Sequence, residues 1–112
     1  VADVRGRGLM WGFEFVMDKE SATPPPASRQ TAALFVEECF ARQLVVYPAG
    51  IAPLNNATLL APPLVISEDE IDLMLSRLRS AVRAMSRHIE RWAGEDTIDA
   101  RSASSQATGL LI

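Results

Sequence analysis

The chain has 112 residues, of which 48% are hydrophobic and 22% are charged. This composition is typical of one globular domain, and the length is too short for two. The formal net charge of -3 argues against general nucleic-acid binding, which needs a basic surface. A single cysteine, Cys39, and a single histidine, His88, exclude a disulfide framework and a zinc cluster.

The N-terminal region alternates in a way that predicts a strand. Residues 9–16 (LMWGFEFV) place aromatic side chains at every second position. Gly12 lies inside this strand and indicates a bulge or the close approach of another backbone. Gly6 and Gly8 predict that the chain turns sharply just before this strand. Because the chain starts at Val1, directly before this pattern, we expect a fragment of a longer protein.

The middle of the chain predicts a loop, a helix and two short strands. Three consecutive prolines within residues 17–27 favour a surface loop. Ser28 is a candidate N-cap for a helix that runs to about Gln43. Its predicted buried face comprises Ala32, Phe35, Val36, Cys39 and Phe40. Residues 44–47 and 58–60 are predicted strands, separated by a loop at residues 49–56.

The C-terminal half carries the best-marked helix. Ser67 and Glu70 form a capping box at its start. Its predicted core stripe consists of Ile71, Leu75, Leu78, Val82, Met85, Ile89 and Trp92. Gly94 is a predicted stop. We therefore expect one domain over residues 1–94 and a mostly disordered tail over residues 95–112.

The predicted element order is β-α-β-β-α, which indicates the α+β class. We expect both helices to cover one face of a small, mostly antiparallel sheet. No apolar run reaches the roughly 20 residues of a membrane span, and no signal-peptide pattern is present. We therefore expect a protein without membrane association and a cytoplasmic setting.

Three stretches, in this order and spacing, resemble segments of the class III pyridoxal-phosphate-dependent aminotransferases. Residues 4–15 (VRGRGLMWGFEF) resemble the family's VRGxGLMxGxEF strand. Residues 41–48 (ARQLVVYP) are similar to its ARGLLVYP junction. Residues 59–71 (LLAPPLVISEDEI) are similar to its LLAPPLVITxEEI segment. The resemblance covers about residues 3–92.

The resemblance implies the C-terminal small domain of a fold-type-I enzyme. In this family the large domain holds pyridoxal phosphate (PLP) on a lysine, and the enzyme moves an amino group between an amine or amino acid and a keto acid or aldehyde. The only lysine here, Lys19, follows a strand beside two acidic residues and does not fit that role. The resemblance therefore implies no catalytic, cofactor-binding or metal-binding residue in this segment, which should be inactive alone. It also implies contact with the enzyme's own large domain and a homodimer.

Two positions are candidates for the substrate pocket. Many family members that use amino or keto acids carry an arginine three residues before the first proline of the APP segment, where it pairs with a substrate carboxylate. Here that position is Leu59. The departure leaves two interpretations: another arginine holds the carboxylate, or one substrate is a less polar amine. Leu59 could equally be only a buried strand residue. Arg5 lies in the family motif. It could bind a carboxylate or a backbone carbonyl, but we favour a structural role for it.

Other interpretations remain open from the sequence. An aminomutase, racemase or decarboxylase of the same family would carry the same domain, and a stand-alone small-molecule-binding or dimerisation module would fit the element order. We interpret Cys39 as a buried apolar residue and His88 as a surface residue. The arginines spaced by four on the last helix are interpreted as a solvated face. A domain separated from a larger enzyme should expose apolar side chains that would otherwise be covered, and we therefore expect it to self-associate. The candidates for these exposed side chains are Met10, Trp11, Ile51 and Leu54.

Overall fold

The computed structural model describes the backbone of residues 1–111 and the side chains of residues 1–95. The elements are β1 (Asp3–Arg7), β2 (Met10–Glu14), a short 3-10 turn (Ala27–Arg29), α1 (Thr31–Ala41), β3 (Tyr47–Ala49), β4 (Ala57–Leu60) and α2 (Glu68–Leu111). The strands form one antiparallel sheet in the order β1-β2-β4-β3. The predicted α+β class is confirmed, whereas the predicted order lacked the first strand.

The missing strand belongs to an N-terminal hairpin. β1 pairs with β2 from Asp3 opposite Glu14 to Arg7 opposite Met10. Gly8 allows the tight turn because its φ is 57°, a value that side chains disfavour. β1 shows no apolar alternation, since Arg5 and Arg7 flank a glycine. Polar strands of this kind are stabilised by pairing and give no periodic signal.

The close approach predicted at Gly12 occurs at Gly6 instead. A Cβ atom on Gly6 would meet the Trp11 ring and would lie 2.5 Å from the carbonyl oxygen of Met10. A Cβ on Gly12 would lie 3.7 Å from the nearest atom, which is ordinary van der Waals contact. Gly6 and Trp11 are direct cross-strand partners, so the indole covers the glycine across the strands.

The core lies between one face of the sheet and the two helices. Three aromatic rings form its centre: Phe15 lies 6.0 Å from Phe13 and 4.9 Å from Phe35, measured between ring centroids. Fully burying one such side chain contributes about 2 to 3 kcal/mol. Around these rings pack Cys39, Leu44, Val46, Leu60, Ala81, Met85 and Trp92.

The helix α1 begins later than predicted. Ser28 does not cap it; this residue lies in the 3-10 turn, and Gln30 precedes the helix in a left-handed conformation without a side-chain cap. Phe35 and Cys39 are buried as predicted, but Phe40 is 72% exposed. The face is narrower than expected because α1 packs on the sheet and on α2 along one side only.

The strand predicted at residues 44–47 is shifted along the chain. Leu44 and Val46 are buried, but the strand β3 is Tyr47–Ala49 and includes Pro48. A proline is tolerated there because β3 is an edge strand, where a missing N–H group costs little. The strand predicted at residues 58–60 is confirmed as β4.

The helix α2 begins at the predicted capping box. The Glu70 N–H group donates to Ser67 Oγ, and the Ser67 N–H group donates to Glu70 Oε1, both at 3.2 Å. Of the predicted stripe, Met85 and Trp92 are buried and Leu75 is 44% exposed. The helical backbone continues past Gly94, so the predicted stop is wrong. We expected a disordered tail at residues 95–112. The side chains from residue 96 onward lie outside the described part of the chain, so this expectation stays a prediction.

Among the described residues, no helix has both the length and the apolar character that crossing a membrane requires.

Candidate functional site

The sheet has a second face that the described part of the chain leaves uncovered, here called the open face. Strand alternation places Arg5 and Met10 on it, together with Leu59 and Tyr47, while Phe13 points to the core. Met10 is 58% and Tyr47 is 68% exposed. Part of this face forms a depression of about 600 Å³, which extends beneath the loop at residues 50–56.

The two candidate pocket residues lie in one row across the open face. Arg5 on β1 is opposite Gly12 on β2, Gly12 is opposite Leu59 on β4, and Leu59 is opposite Tyr47 on β3. Arg5, Gly12 and Leu59 also line the same depression. The structure therefore places Arg5 and Leu59, which are far apart in the sequence, in one row of the sheet.

The Arg5 side chain is held by two carboxylates. Its Nε lies 2.8 Å from Oδ2 of Asp3, and its Nη2 donates to Oε1 of Glu14 at 2.8 Å. The arginine side chain is 70% exposed, so each pair contributes little to stability, about 0 to 1 kcal/mol. Their effect is on the site, because one guanidinium paired with two carboxylates leaves a net charge of about -1 and offers no unbalanced positive charge to an anionic ligand.

Leu59 lies half-buried between Gly12 and Tyr47. Its side chain points to the open face, so it is not part of the core on the helix side. Neighbouring positions on β4, Thr58 and Leu60, point to that core and are buried. Leu59 is thus a half-buried strand residue on the open face.

The loop at residues 50–56 forms one wall of the depression. Two hydrogen bonds hold the end of this loop. Asn56 Nδ2 donates to the Phe15 carbonyl oxygen at 2.8 Å. The Asn55 carbonyl oxygen accepts from the Ala32 N–H group at 3.0 Å. Ile51 is 84% and Leu54 is 43% exposed, and both line the depression. With Met10 and Trp11, all four side chains predicted to be exposed are exposed.

His88, expected to be a surface residue, is 23% exposed and contacts α1. Its Nε2 lies 2.9 Å from Oε1 of Glu38 on α1, and its Nδ1 lies 3.0 Å from Nη2 of Arg91. Arginine is always a donor, so Nδ1 accepts and Nε2 carries the proton that is donated to Glu38. Glu38 also accepts from Arg42 at 2.7 Å. These bonds hold the pKa of the Glu38 carboxyl below its ordinary value, chiefly through the bond from His88.

Neither Cys39 nor Lys19 has the surroundings of a catalytic residue in the described part of the chain. Cys39 is buried, and burial raises the pKa of its thiol to about 11, so it is not a nucleophile at neutral pH. Lys19 is exposed. Within the described part of the chain, no group of three or more histidine, cysteine, aspartate or glutamate side chains could hold a metal ion.

Comparison with known proteins identifies aminotransferases. No protein-family profile matches the chain. An uncharacterised aminotransferase of Bacillus subtilis, YodT, is 34% identical over 94 residues, which are 81% of this chain and 21% of that protein. The crystal structure of a Bacillus anthracis aminotransferase is 39% identical with a TM-score of 0.66, over 78% of this chain and 19% of that one. A PLP-bound aminotransferase mutant from Vibrio fluvialis is 27% identical with a TM-score of 0.71, over 79% of this chain and 18% of that one.

The chain thus spans about a fifth of the length of the relatives that it matches. Over about four fifths of the chain, sequence and fold are similar to those of one segment of these aminotransferases. The four-stranded antiparallel sheet with two helices therefore resembles the matching segment of those aminotransferase structures.

Proposed function

We propose that this chain is the C-terminal small domain of a class III PLP-dependent transaminase. The whole enzyme moves an amino group from an amine or amino acid to a keto acid or aldehyde. The observation that carries the proposal is the joint similarity of sequence and fold to aminotransferases over the same segment. The three motif segments at residues 4–15, 41–48 and 59–71 support the class III assignment.

The residues of this segment do not fit a role in holding the cofactor. A lysine that binds PLP needs a desolvated pocket or a cationic neighbour, and Lys19 is exposed between Asp18 and Glu20. PLP, when bound, withdraws electrons from the amine carbon and so allows its bonds to break. In the proposed enzyme, another part of the polypeptide holds it. This domain covers the active site and excludes water with its open face.

The open face favours an amine or ω-amino-acid donor over an α-amino acid. A substrate carboxylate is best held by an unpaired guanidinium, and Leu59 occupies the position where that arginine is expected. Arg5, the nearest cation in the same row, is already paired with Asp3 and Glu14. The part of the substrate that contacts Leu59 is therefore uncharged or weakly polar.

Replacement of Leu59 tests this preference in the full-length enzyme. Leu59→Arg should raise kcat/KM for α-amino-acid donors relative to amine donors by about tenfold or more, as an added charged pair is worth about 1.5 to 3 kcal/mol. Leu59→Met is the matched control, since it keeps an apolar side chain of similar volume. An unchanged ratio in Leu59→Arg would contradict the role of Leu59.

The activity itself is tested on the full-length polypeptide that contains this segment. Transamination is measured with amine and amino-acid donors against pyruvate and an aldehyde, and bound PLP is measured by its absorbance. The isolated chain is the control and should show neither activity nor bound PLP. An active full-length protein that racemises, decarboxylates or shifts the amino group within one substrate would replace the transaminase proposal with the related reaction.

The proposal includes a homodimeric, cytoplasmic enzyme with small-molecule substrates. The uncovered apolar side chains around Trp11 and Tyr47 support burial against the large domain or a second subunit. Sedimentation of the full-length protein measures the assembly, and a monomer with full activity would contradict the dimer.

A further inference from the structure

The strand β1 lies at one edge of the sheet, where β2 is its only neighbouring strand among the described residues. The turn between these strands has two residues, Gly8 and Leu9, and only the glycine has a positive φ. In such a hairpin the residues that flank the turn form a hydrogen-bonded pair, and bonded and non-bonded pairs alternate from there. The backbone N–H and C=O groups of Val4 and Gly6 therefore point away from β2, and no described residue outside the hairpin bonds to them.

An edge with unpaired backbone groups can pair with another strand unless it is covered or contains a proline or a bulge. β1 contains no proline. A second copy of β1, placed antiparallel with its Gly6 opposite Val4, would satisfy these groups through four backbone hydrogen bonds. The register is symmetrical, since the two Arg5 residues lie opposite each other at its centre, and it therefore forms a closed dimer.

The charges on the open face fit this register. The cluster of Arg5, Asp3 and Glu14 carries a net charge of about -1. Arg7 is exposed and forms no hydrogen bond or ion pair with any described residue. In the symmetrical register Arg7 of each copy lies opposite Asp3 of the other copy. Arg7 thus supplies the positive charge that the cluster lacks, and each Arg5 meets its counterpart with its own charge already balanced.

The helix-side face of the same edge is apolar. Val4 is 60% and Trp11 is 41% exposed. The Trp11 ring covers Gly6, so Val4 of a second copy, opposite that glycine, would meet no side chain there and would lie against the indole. Arg7 and Trp11 also occupy the two positions that the motif segment at residues 4–11 (VRGxGLMx) leaves open. The complementarity of this edge therefore depends on residues that the family motif does not specify.

We propose that β1 is a self-recognition edge at which two copies of this chain pair antiparallel and join their sheets. In this pairing Val4 lies opposite Gly6, and Arg7 lies opposite Asp3. The inference concerns an interaction surface of the chain and does not rest on the proposed transaminase function.

Disulfide cross-linking in the chain of 112 residues tests the register. The two Arg5 positions form a non-hydrogen-bonded pair with Cα atoms about 4.5 Å apart, a separation that a disulfide spans. Arg5→Cys should therefore give a covalent dimer on mild oxidation, seen on a non-reducing gel. Arg7→Cys is the matched control, because its two cysteines would be about 13 Å apart, four residues along the paired strands, and should not cross-link. Cys39 is buried in the parent chain, which should also give no covalent dimer.

A charge reversal tests the pairing without a cross-link. Arg7→Glu places a carboxylate opposite Asp3 of the second copy, so the dissociation constant of the dimer should rise by about fivefold or more. Sedimentation equilibrium measures this constant. Arg83→Glu is the matched control, because it makes the same change of charge at an exposed position on α2. It should leave the constant unchanged.

Each outcome decides the proposal. A parent chain that stays monomeric at high concentration, or equal cross-linking of Arg5→Cys and Arg7→Cys, overturns it. Equal weakening by Arg7→Glu and Arg83→Glu would assign the association to net charge and also overturns it. If Arg5→Cys does not fold, as judged by circular dichroism, the comparison of the two glutamate variants decides alone.

Discussion

The Nε2 atom of His88 lies 2.9 Å from Oε1 of Glu38 and joins the middle of α2 to α1. Oε2 of the same carboxylate accepts from Arg42, which also donates to the Ser80 hydroxyl of α2 at 2.8 Å. The imidazole stacks on Trp92 at a centroid distance of 6.1 Å. The half-buried Glu38 carboxylate therefore connects α1 to α2 through polar contacts, beside a core that is mainly apolar.

Replacing Glu38 by glutamine should lower the free energy of unfolding by about 1 to 2 kcal/mol, because two charge-assisted hydrogen bonds lose their charged acceptor. Glu37→Gln is the matched control: Glu37 is exposed and forms no hydrogen bond or ion pair with any described residue. Urea unfolding at neutral pH measures both. Equal effects of the two changes would show that the connection between the helices contributes nothing.

The contribution of Glu38 should also depend on pH. The pKa of this carboxyl is lowered in the folded chain from its ordinary value of 4.5. A lowered pKa stabilises the fold fully above the ordinary pKa, and the contribution is lost as the pH falls through the folded pKa. The stability difference between the parent and Glu38→Gln should thus be present at pH 5 and shrink below about 4.5. A difference that persists undiminished at pH 3 would contradict the assignment.

Gly6→Ala should destabilise the N-terminal hairpin by about 1 to 3 kcal/mol, the range for inserting a methyl group where there is no room. The added Cβ would lie 2.5 Å from the backbone oxygen of Met10, which cannot move without disturbing β2. The melting temperature should fall in Gly6→Ala and stay constant or rise in Gly12→Ala. The opposite order would mean that the two glycines have been assigned the wrong roles.

These two glycines show how far sequence patterns reach. The alternation of residues 9–16 predicted β2 and its core face, and the capping box located the start of α2, because both are local effects. The close approach at Gly6 depends on β1, whose alternating Arg5 and Arg7 carry no apolar period.

The candidate site shows the same limit. The motif comparison selected Arg5 and Leu59 separately. Their common row depends on the pairing of β2 with both β1 and β4, which no local pattern determines. His88 was missed for the same reason, since its partner Glu38 lies 50 residues away in the chain.

Thr58→Val should leave stability unchanged or raise it slightly. The Thr58 hydroxyl is buried on the core face of β4, and no described residue hydrogen-bonds to it. A buried hydroxyl without a partner costs about 1 to 3 kcal/mol, and valine keeps the shape while removing that cost. Thr58→Ala is the control that separates the hydroxyl from the methyl group: it should destabilise by leaving a cavity. A clear loss of stability in Thr58→Val would reveal a hydrogen bond made by the hydroxyl in solution.

Self-association of the isolated chain should depend on an apolar groove of about 310 Å³ beside Trp11. Its walls include Val4, Trp11 and Leu75, which are 60%, 41% and 44% exposed. An exposed apolar surface of this kind drives association because its burial removes hydrocarbon from water. Leu75→Glu places a charge in the groove and should shift the sample towards monomer in sedimentation velocity.

Ser76→Glu is the matched control for this change, because it adds the same charge at the next, exposed position of α2. Successive helical residues point about 100° apart, so the control charge lies beside the groove and not inside it. Equal shifts towards monomer in both variants would show that net charge, rather than the groove, governs association. A parent chain that is monomeric at high concentration would show that the groove is not sufficient for association.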